Sequence, residues 1–180
     1  KEVNCNKVNI GVEHGNRKFR TEIVGRNYKN EIAVKSFELM YEAGISTTSN
    51  NILGFPDETR ELIFDTIELV RQLKSNDINA FTFIPYQGTS LRGLCETKNY
   101  LNKDTLASIY ETDSLLDMPS ISKKEIGGLV KTFPLYARLP RSCWKDIKIA
   151  ESDTPEAKKV YNNLLNMFRE QYSNISLARD

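Results

Sequence analysis

Three short clusters hold the residues that could do chemistry: Gly11-Val12-Glu13-His14-Gly15, Gly54-Phe55-Pro56-Asp57-Glu58-Thr59 and Phe83-Ile84-Pro85-Tyr86-Gln87-Gly88-Thr89. Each follows a β-branched or apolar run. Glu13 would stand at the carboxyl end of a strand, where a carboxylate can accept hydrogen bonds from sugar hydroxyls. The plainer alternative is that it caps a turn or pairs with Arg17 or Arg26. Arg20 and Arg26 carry the planar fork that suits a carboxylate ligand, although solvated surface arginines have the same sequence signature. Asn50 and Asn51 close the middle run, where an amide can read a ribose or a polar tail. Asparagine before a Gly-x-Pro break is equally ordinary turn chemistry. Plain strand-to-helix turns would explain the second and third clusters too, with Tyr86 as a rim aromatic. His14 is the only histidine. It reads as exposed loop, and no Ser or Cys near it sits in a nucleophile elbow.

The elements that must position these residues can be read from the pattern between them. Val8, Ile10 and Val12 alternate with polar residues, a strand running into the Gly15 turn. Residues 16–28 are basic and polar. Asn30 is placed to cap a helix with Ala33, Phe37, Met40 and Tyr41 on its apolar face, ended by Gly44 in a left-handed conformation. Ile45 to Leu53 is the next strand. Asp57 and Glu58 would open a second helix, with Leu62, Ile63, Thr66, Ile67, Val70 and Leu73 as its stripe. Ile78 to Ile84 is the third strand. Residues 92–120 read as loop-rich with a short helix at 103–111. Ser122 and Glu125 form a capping box for a helix of about 123–136. Pro140 to Trp144 is a break, with Trp144 as a packing anchor for the tail. Thr154-Pro155-Glu156 starts a last helix whose apolar face is Val160, Leu164, Met167, Phe168 and Tyr172.

Three strand–loop–helix units in series predict an α/β fold with a parallel sheet. A closed eight-unit barrel takes about 250 residues. The expected fold is therefore a partial, half TIM-like barrel of about three parallel βα units followed by a helical C-terminal tail. On this reading residues 1–100 are the second half of a barrel and 101–180 a helical extension. The chain opens on Lys1 rather than Met, which suits a piece of a longer protein whose first strand presents an open edge.

The totals narrow the function. With 25 basic and 24 acidic residues the net charge is +1, so there is no broad basic field to favour nucleic acid as a partner. No apolar run approaches the ~20 residues of a membrane helix, and the first residues resemble neither a signal nor a transit peptide. Cys5, Cys95 and Cys143 are odd in number and widely spaced. That disfavours a disulfide framework, fits a reducing cytoplasmic setting, and offers no local spacing for a zinc or iron–sulfur site.

Taken in order, Gly11 to Gly15, Arg20 and Arg26, Ala43-Gly44-Ile45, Gly54 to Thr59 and Pro85 to Leu91 resemble the second half of a radical S-adenosylmethionine (radical SAM) enzyme barrel. The likeness covers residues 7 to about 100. Each motif is weak alone, and the ordered set is specific. Gly15-Asn16 and Arg20, with Phe133 to Glu151 in the tail, are most similar to the subgroup with an upstream cobalamin-binding domain. The resemblance implies that Glu13 faces the ribose or amino group of S-adenosylmethionine and that Arg26, with Arg20 as second candidate, binds the methionine carboxylate. It implies further that Asn50, or its neighbour Asn51, lies near the ribose and that the backbone of Phe83, Ile84 and Pro85 borders the adenine.

In such enzymes three closely spaced cysteines hold a [4Fe–4S] cluster, which reduces S-adenosylmethionine to a 5′-deoxyadenosyl radical. Cys5, Cys95 and Cys143 cannot form that motif. The resemblance therefore implies cluster ligands upstream of this chain, an upstream half-barrel as partner, a small-molecule or peptide substrate, and cobalamin as a further cofactor. The 180 residues by themselves are expected to hold no cluster and to show no radical activity. The competing reading is a non-catalytic binding or scaffold module with a degenerate half-barrel. An ordinary α/β enzyme for a phosphate substrate is disfavoured, because no glycine-rich phosphate loop follows any strand.

Overall fold

The computed structural model describes residues 4–108 and 113–176, with side chains as far as Gln171. Three parallel strands form one sheet in the order β1-β2-β3: β1 (Lys7–Glu13), β2 (Ser46–Leu53) and β3 (Asp77–Thr82). Parallel pairing requires crossovers, and helices supply them. A short helical segment, α1 (Arg17–Phe19), runs into a π-helical turn at Arg20–Val24, followed by α2 (Asn30–Glu42) and, after β2, by α3 (Arg60–Gln72). Beyond β3 come α4 (Ser90–Thr97), α5 (Lys123–Arg138), α6 (Trp144–Ala150) and α7 (Pro155–Ser176). This is the half-barrel with a helical tail that the sequence predicts.

Strand alternation gives the sheet two unlike faces. Thr47, Ser49, Asn51 and Leu53 are buried, and α2 and α3 pack on β2. On the other face Asn50 is level with Asn79 and Ile52 with Phe81, and Phe81 is half exposed. That more open face would look inward in a closed barrel. At the head of β1 the register slips by one residue between Gly11 and Glu13, a bulge that tips Glu13 out of the ladder.

The core is shared between α3, whose Ile63, Ile67, Leu69 and Val70 are buried, the sheet and α2, which give Leu53 and Phe37, and the tail, where α5 buries Ile126, Leu129 and Phe133. Each such side chain contributes roughly 1.5–3 kcal/mol of hydrophobic stabilisation. The tail lies on the flank of the sheet, with α5 packed on β3 and α3. Trp144 is the expected anchor, set edge-on to Phe64 and Tyr136 at 5.3 and 5.5 Å between ring centres.

Several local expectations need correction. Asn30 does not cap α2. Its amide is drawn to Gly15 O (2.8 Å) and Arg20 (3.0 Å), a tertiary use that outcompetes the local one. Tyr41 is exposed and lies under the Lys74 ammonium instead of in the core. The helix after Pro56 starts at Arg60, capped by Thr59 Oγ1, because Glu58 turns back into the protein. Of the helix expected at 103–111, residues 103–108 are not helical and the remainder falls outside the described residues. The helix that does form beyond β3 lies earlier, α4, where Thr89 caps and Cys95 is buried, a thiol that burial pushes up to about 11. Ser122 caps α5 as expected, but the Glu125 carboxylate goes to Arg60. On α7, Leu164 is buried and Met167 is half exposed, while the Tyr172 side chain falls outside the described residues.

Candidate functional site

The carboxyl ends of the three strands open onto a cleft of about 520 Å³. Glu13 and Arg26 form its polar side, Ile52, Phe55, Phe81 and Phe83 its apolar floor, and Ile84, Tyr86 and Leu91 its rim. A volume of this order suits a small-molecule ligand, and the mix of apolar wall with a few converging polar groups is what such sites present.

Glu13 is the focus. Its backbone is left-handed, with φ of 64°. The bend folds the carboxylate back over Gly11, where a Cβ would collide with Oε1. Arg26 completes the pair, 3.2 Å from Glu13 Oε1, and its own side chain is 52% exposed, leaving the guanidinium accessible to a ligand. Burial raises the Glu13 carboxyl above the ordinary glutamate range, and the neighbouring Arg26 charge offsets only part of that. A half-desolvated carboxylate with a single, exposed partner has unused acceptor capacity.

The cleft thus unites four of the eight residues that the resemblance gave as candidates for the nucleotide, Glu13, Arg26, Phe83 and Ile84, with Tyr86 on its rim. Pro85 adjoins them, its side chain buried and its carbonyl accepting from Arg92 (3.2 Å). Arg20 is elsewhere. It is fully buried, donates to His14 O (2.6 Å), Asn30 Oδ1 (3.0 Å) and Tyr28 O, and stacks on the Tyr28 ring. Its guanidinium organises the loop and is not free for a ligand carboxylate. Asn50 faces the open side one row below the cleft and accepts from Asn79 Nδ2 (3.1 Å). Asn51 points to the buried face and donates to Asn79 O (2.9 Å), and its buried Oδ1 has no hydrogen-bond partner.

Sequence reasoning missed the pair beneath this cleft. His14 is completely buried, contrary to its reading as exposed loop. Its Nδ1 accepts from Asn16 N–H (3.0 Å), so the ring proton sits on Nε2, 2.9 Å from Glu58 Oε1 without good hydrogen-bond alignment. Glu58 Oε2 accepts from the backbone N–H groups of Gly54 and Phe55. Phe19, five residues after His14, stacks on the imidazole and was the available signal that this loop turns inward.

Residues 1–70 match the family described as the radical SAM superfamily. They contain β1, β2, Glu13, Arg26, His14 and Glu58. Among curated relatives, an uncharacterized methyltransferase of Pyrococcus horikoshii is 24% identical over 82% of this chain and 32% of its own length. A tRNA-2-methylthio-N(6)-dimethylallyladenosine synthase of Syntrophomonas wolfei is 30% identical over 51% of this chain and 21% of its own. The enzyme of that name from Thermosipho melanesiensis is 33% identical over 46% and 19%. The chain therefore spans about a third or less of the length of these relatives.

The radical SAM family implies S-adenosylmethionine and a [4Fe–4S] cluster, and the two fare differently here. The donor set of the cleft fits the nucleotide: a guanidinium for a carboxylate, a carboxylate for hydroxyl or amino groups, and aromatic and aliphatic walls for a base. The cluster does not fit. Among the described residues no group of three or more His, Cys, Asp or Glu could hold a metal ion, and the three cysteines sit in separate parts of the fold. No helix among the described residues is long and apolar enough to cross a membrane.

Proposed function

We propose that this chain is the nucleotide-binding part of a radical SAM enzyme and that its cleft receives S-adenosylmethionine. Arg26 takes the methionine carboxylate, Glu13 takes the ribose hydroxyls or the amino group, and the Phe83–Pro85 segment borders the adenine. Arg20 is left out because it is completely buried and its terminal nitrogens donate to His14 O, Asn30 Oδ1 and Tyr28 O, and so is Asn51, which points to the other face. The observation that carries the reading is Glu13, bent over Gly11 against Arg26 at the head of the parallel strands. In this superfamily bound S-adenosylmethionine supplies radical chemistry, and the work of the residues named here is to bind and orient it.

The cluster ligands, on this proposal, belong to a part of the parent protein beyond these 180 residues, in an upstream half-barrel that completes the sheet. The names of the relatives support a group-transfer outcome, methyl or methylthio, and the substrate is taken to be a small molecule or peptide. Cobalamin enters through the subgroup resemblance, supported by the methyltransferase name of the Pyrococcus relative.

Calorimetric titration with S-adenosylmethionine tests the reading. The chain should bind it, and Arg26→Ala should weaken binding by about tenfold or more, the loss expected when one member of a half-buried charge pair is removed. No binding by the wild-type chain would overturn the assignment of the cleft. Absence of iron from the anaerobically purified parent protein would leave a nucleotide-binding module in its place.

A further inference from the structure

Among the described residues lining the cleft, only Glu13 has a positive φ. That conformation is unfavourable for a glutamate and persists only where the surroundings over-determine it. What fixes it is visible one residue on. The His14 N–H donates to Val12 O (2.8 Å), closing a tight turn around Glu13, and the Tyr28 hydroxyl donates to the same oxygen (2.6 Å). The His14 ring is then pinned by Phe19, whose centroid is 4.5 Å away, by Phe55 edge-on, by Asn16 N–H on Nδ1, and by Glu58. Glu58 belongs to the loop after β2 and is tied to the backbone of Gly54 and Phe55. The residue next to Glu13 is thus anchored to the loop that supplies the Phe55 wall of the cleft.

We propose that His14 and Glu58 are a positioning pair that holds Glu13 in its left-handed bend, with the carboxylate over Gly11, and fixes the distance from Glu13 to the Phe55 wall. The proposal rests on the reading of the cleft as the S-adenosylmethionine site. Neither residue lines the cleft, so both act through their neighbours. Stability alone is a poor reason for them. Both side chains are completely buried, and a buried carboxylate against an imidazole is costly to desolvate. An apolar pair would fill the space between Phe19 and Phe55 without that cost. What the polar pair adds is a fixed link between two loops.

The test compares Glu13→Gly with Glu13→Ala in the wild-type and in His14→Phe and Glu58→Gln backgrounds of the 180-residue chain. Glycine adopts positive φ freely, so Glu13→Gly should melt higher than Glu13→Ala in the wild-type background. In a folded His14→Phe background that gap should vanish. The amide-to-Hα coupling of Glu13, read by NMR, should move to a negative-φ value, and S-adenosylmethionine affinity should fall at least about tenfold, as for a misplaced binding group. Glu58→Gln, which keeps the shape and one acceptor, should shift all three readouts in the same direction by less. A folded His14→Phe chain that keeps both the left-handed coupling and the glycine–alanine gap would overturn the proposal. If His14→Phe does not fold, the same readouts in Glu58→Gln decide. If the wild-type chain binds no S-adenosylmethionine, only the reading of the cleft falls, because coupling and melting gap still report whether the pair holds Glu13.

Discussion

Two carboxylates, each facing an arginine, mark two regions of this molecule that do opposite things. Glu13 has Arg26 as a single, half-exposed partner 3.2 Å away. Glu151, at the end of α6, is saturated. Arg60 forks onto both of its oxygens (2.6 and 2.9 Å), the Tyr136 hydroxyl donates to one of them (2.7 Å), and Lys148 donates to the other (2.9 Å). Burial would raise both carboxyls. It prevails at Glu13, whereas at Glu151 the bonds from Arg60, Tyr136 and Lys148 together outweigh it and hold the group below the ordinary range. Burial also raises the Tyr136 hydroxyl, reinforced by the Glu151 charge it donates to. A carboxylate whose lone pairs are all taken is a brace, here joining α3 to the tail helices, and one with acceptor capacity left over can receive a ligand.

The largest expected effects come from close backbone approaches in each region. A Cβ on Gly15 would lie 2.5 Å from Thr66 Cα, and one on Gly128 would lie 2.6 Å from the Glu151 carbonyl oxygen. Backbone cannot swing away as a side chain tip can, so Gly15→Ala should cost about 3 kcal/mol. Gly128 is inside α5, where alanine returns about 1 kcal/mol of helix propensity, so Gly128→Ala should cost less, about 2 kcal/mol. Thermal melts would show these as falls of about 2–4 °C per kcal/mol for a chain of this size. Equal costs in the two variants would mean that the helix term is lost to rearrangement of the brace.

Next in size is the brace itself. Glu151→Gln removes the charge that Arg60 and Lys148 share and leaves Arg60 with Glu125 (3.0 Å). Because Arg60 is partly solvated and keeps one partner, the cost should be about 2 kcal/mol, below the 3–5 kcal/mol of a fully buried broken pair. S-adenosylmethionine affinity should stay unchanged. A loss of affinity comparable to that of Arg26→Ala would erase the distinction between the two regions.

Much of the architecture was legible from residue pattern, and the reason is that it rests on local rules. The parallel strands follow from β-branched runs, Gly44 from the need for a left-handed C-terminal residue, and Ser122, Thr154 and Pro155 from capping chemistry. The site was legible in part. Glu13 and the Phe83–Pro85 segment sit at strand ends, and position along a strand is local information, whereas Arg26 comes from the loop that precedes α2. Asn51 shows the limit. One residue of register moves a side chain to the opposite face, and the pattern of β2 is too polar to fix which face is covered. Asn30, Arg20, His14 and Glu58 were misread for a deeper reason. Their partners lie on other elements, His14 and Glu58 being 44 positions apart in the chain, and no periodicity encodes such a pairing.

The smallest effect is the most discriminating, because its sign differs between the regions. Glu13 titrates above the ordinary glutamate pKa of about 4.3 in the fold. Its folded form holds the proton more tightly than the unfolded chain does, so its contribution to stability is present below that ordinary value and is lost as pH rises through the raised one. Glu151 titrates below it. Its contribution is present above the ordinary value and is lost as pH falls through the depressed one. Chemical denaturation between about pH 3 and pH 7 should therefore show Glu13→Gln gaining stability relative to wild type as pH rises through that window, and Glu151→Gln gaining relative to wild type as it falls, each by about 1 kcal/mol or less. Bound S-adenosylmethionine should shrink the first difference by giving the Glu13 carboxylate donors, and it should leave the second alone. If ligand moved both, the tail would be coupled to the cleft, and the brace would be part of the site.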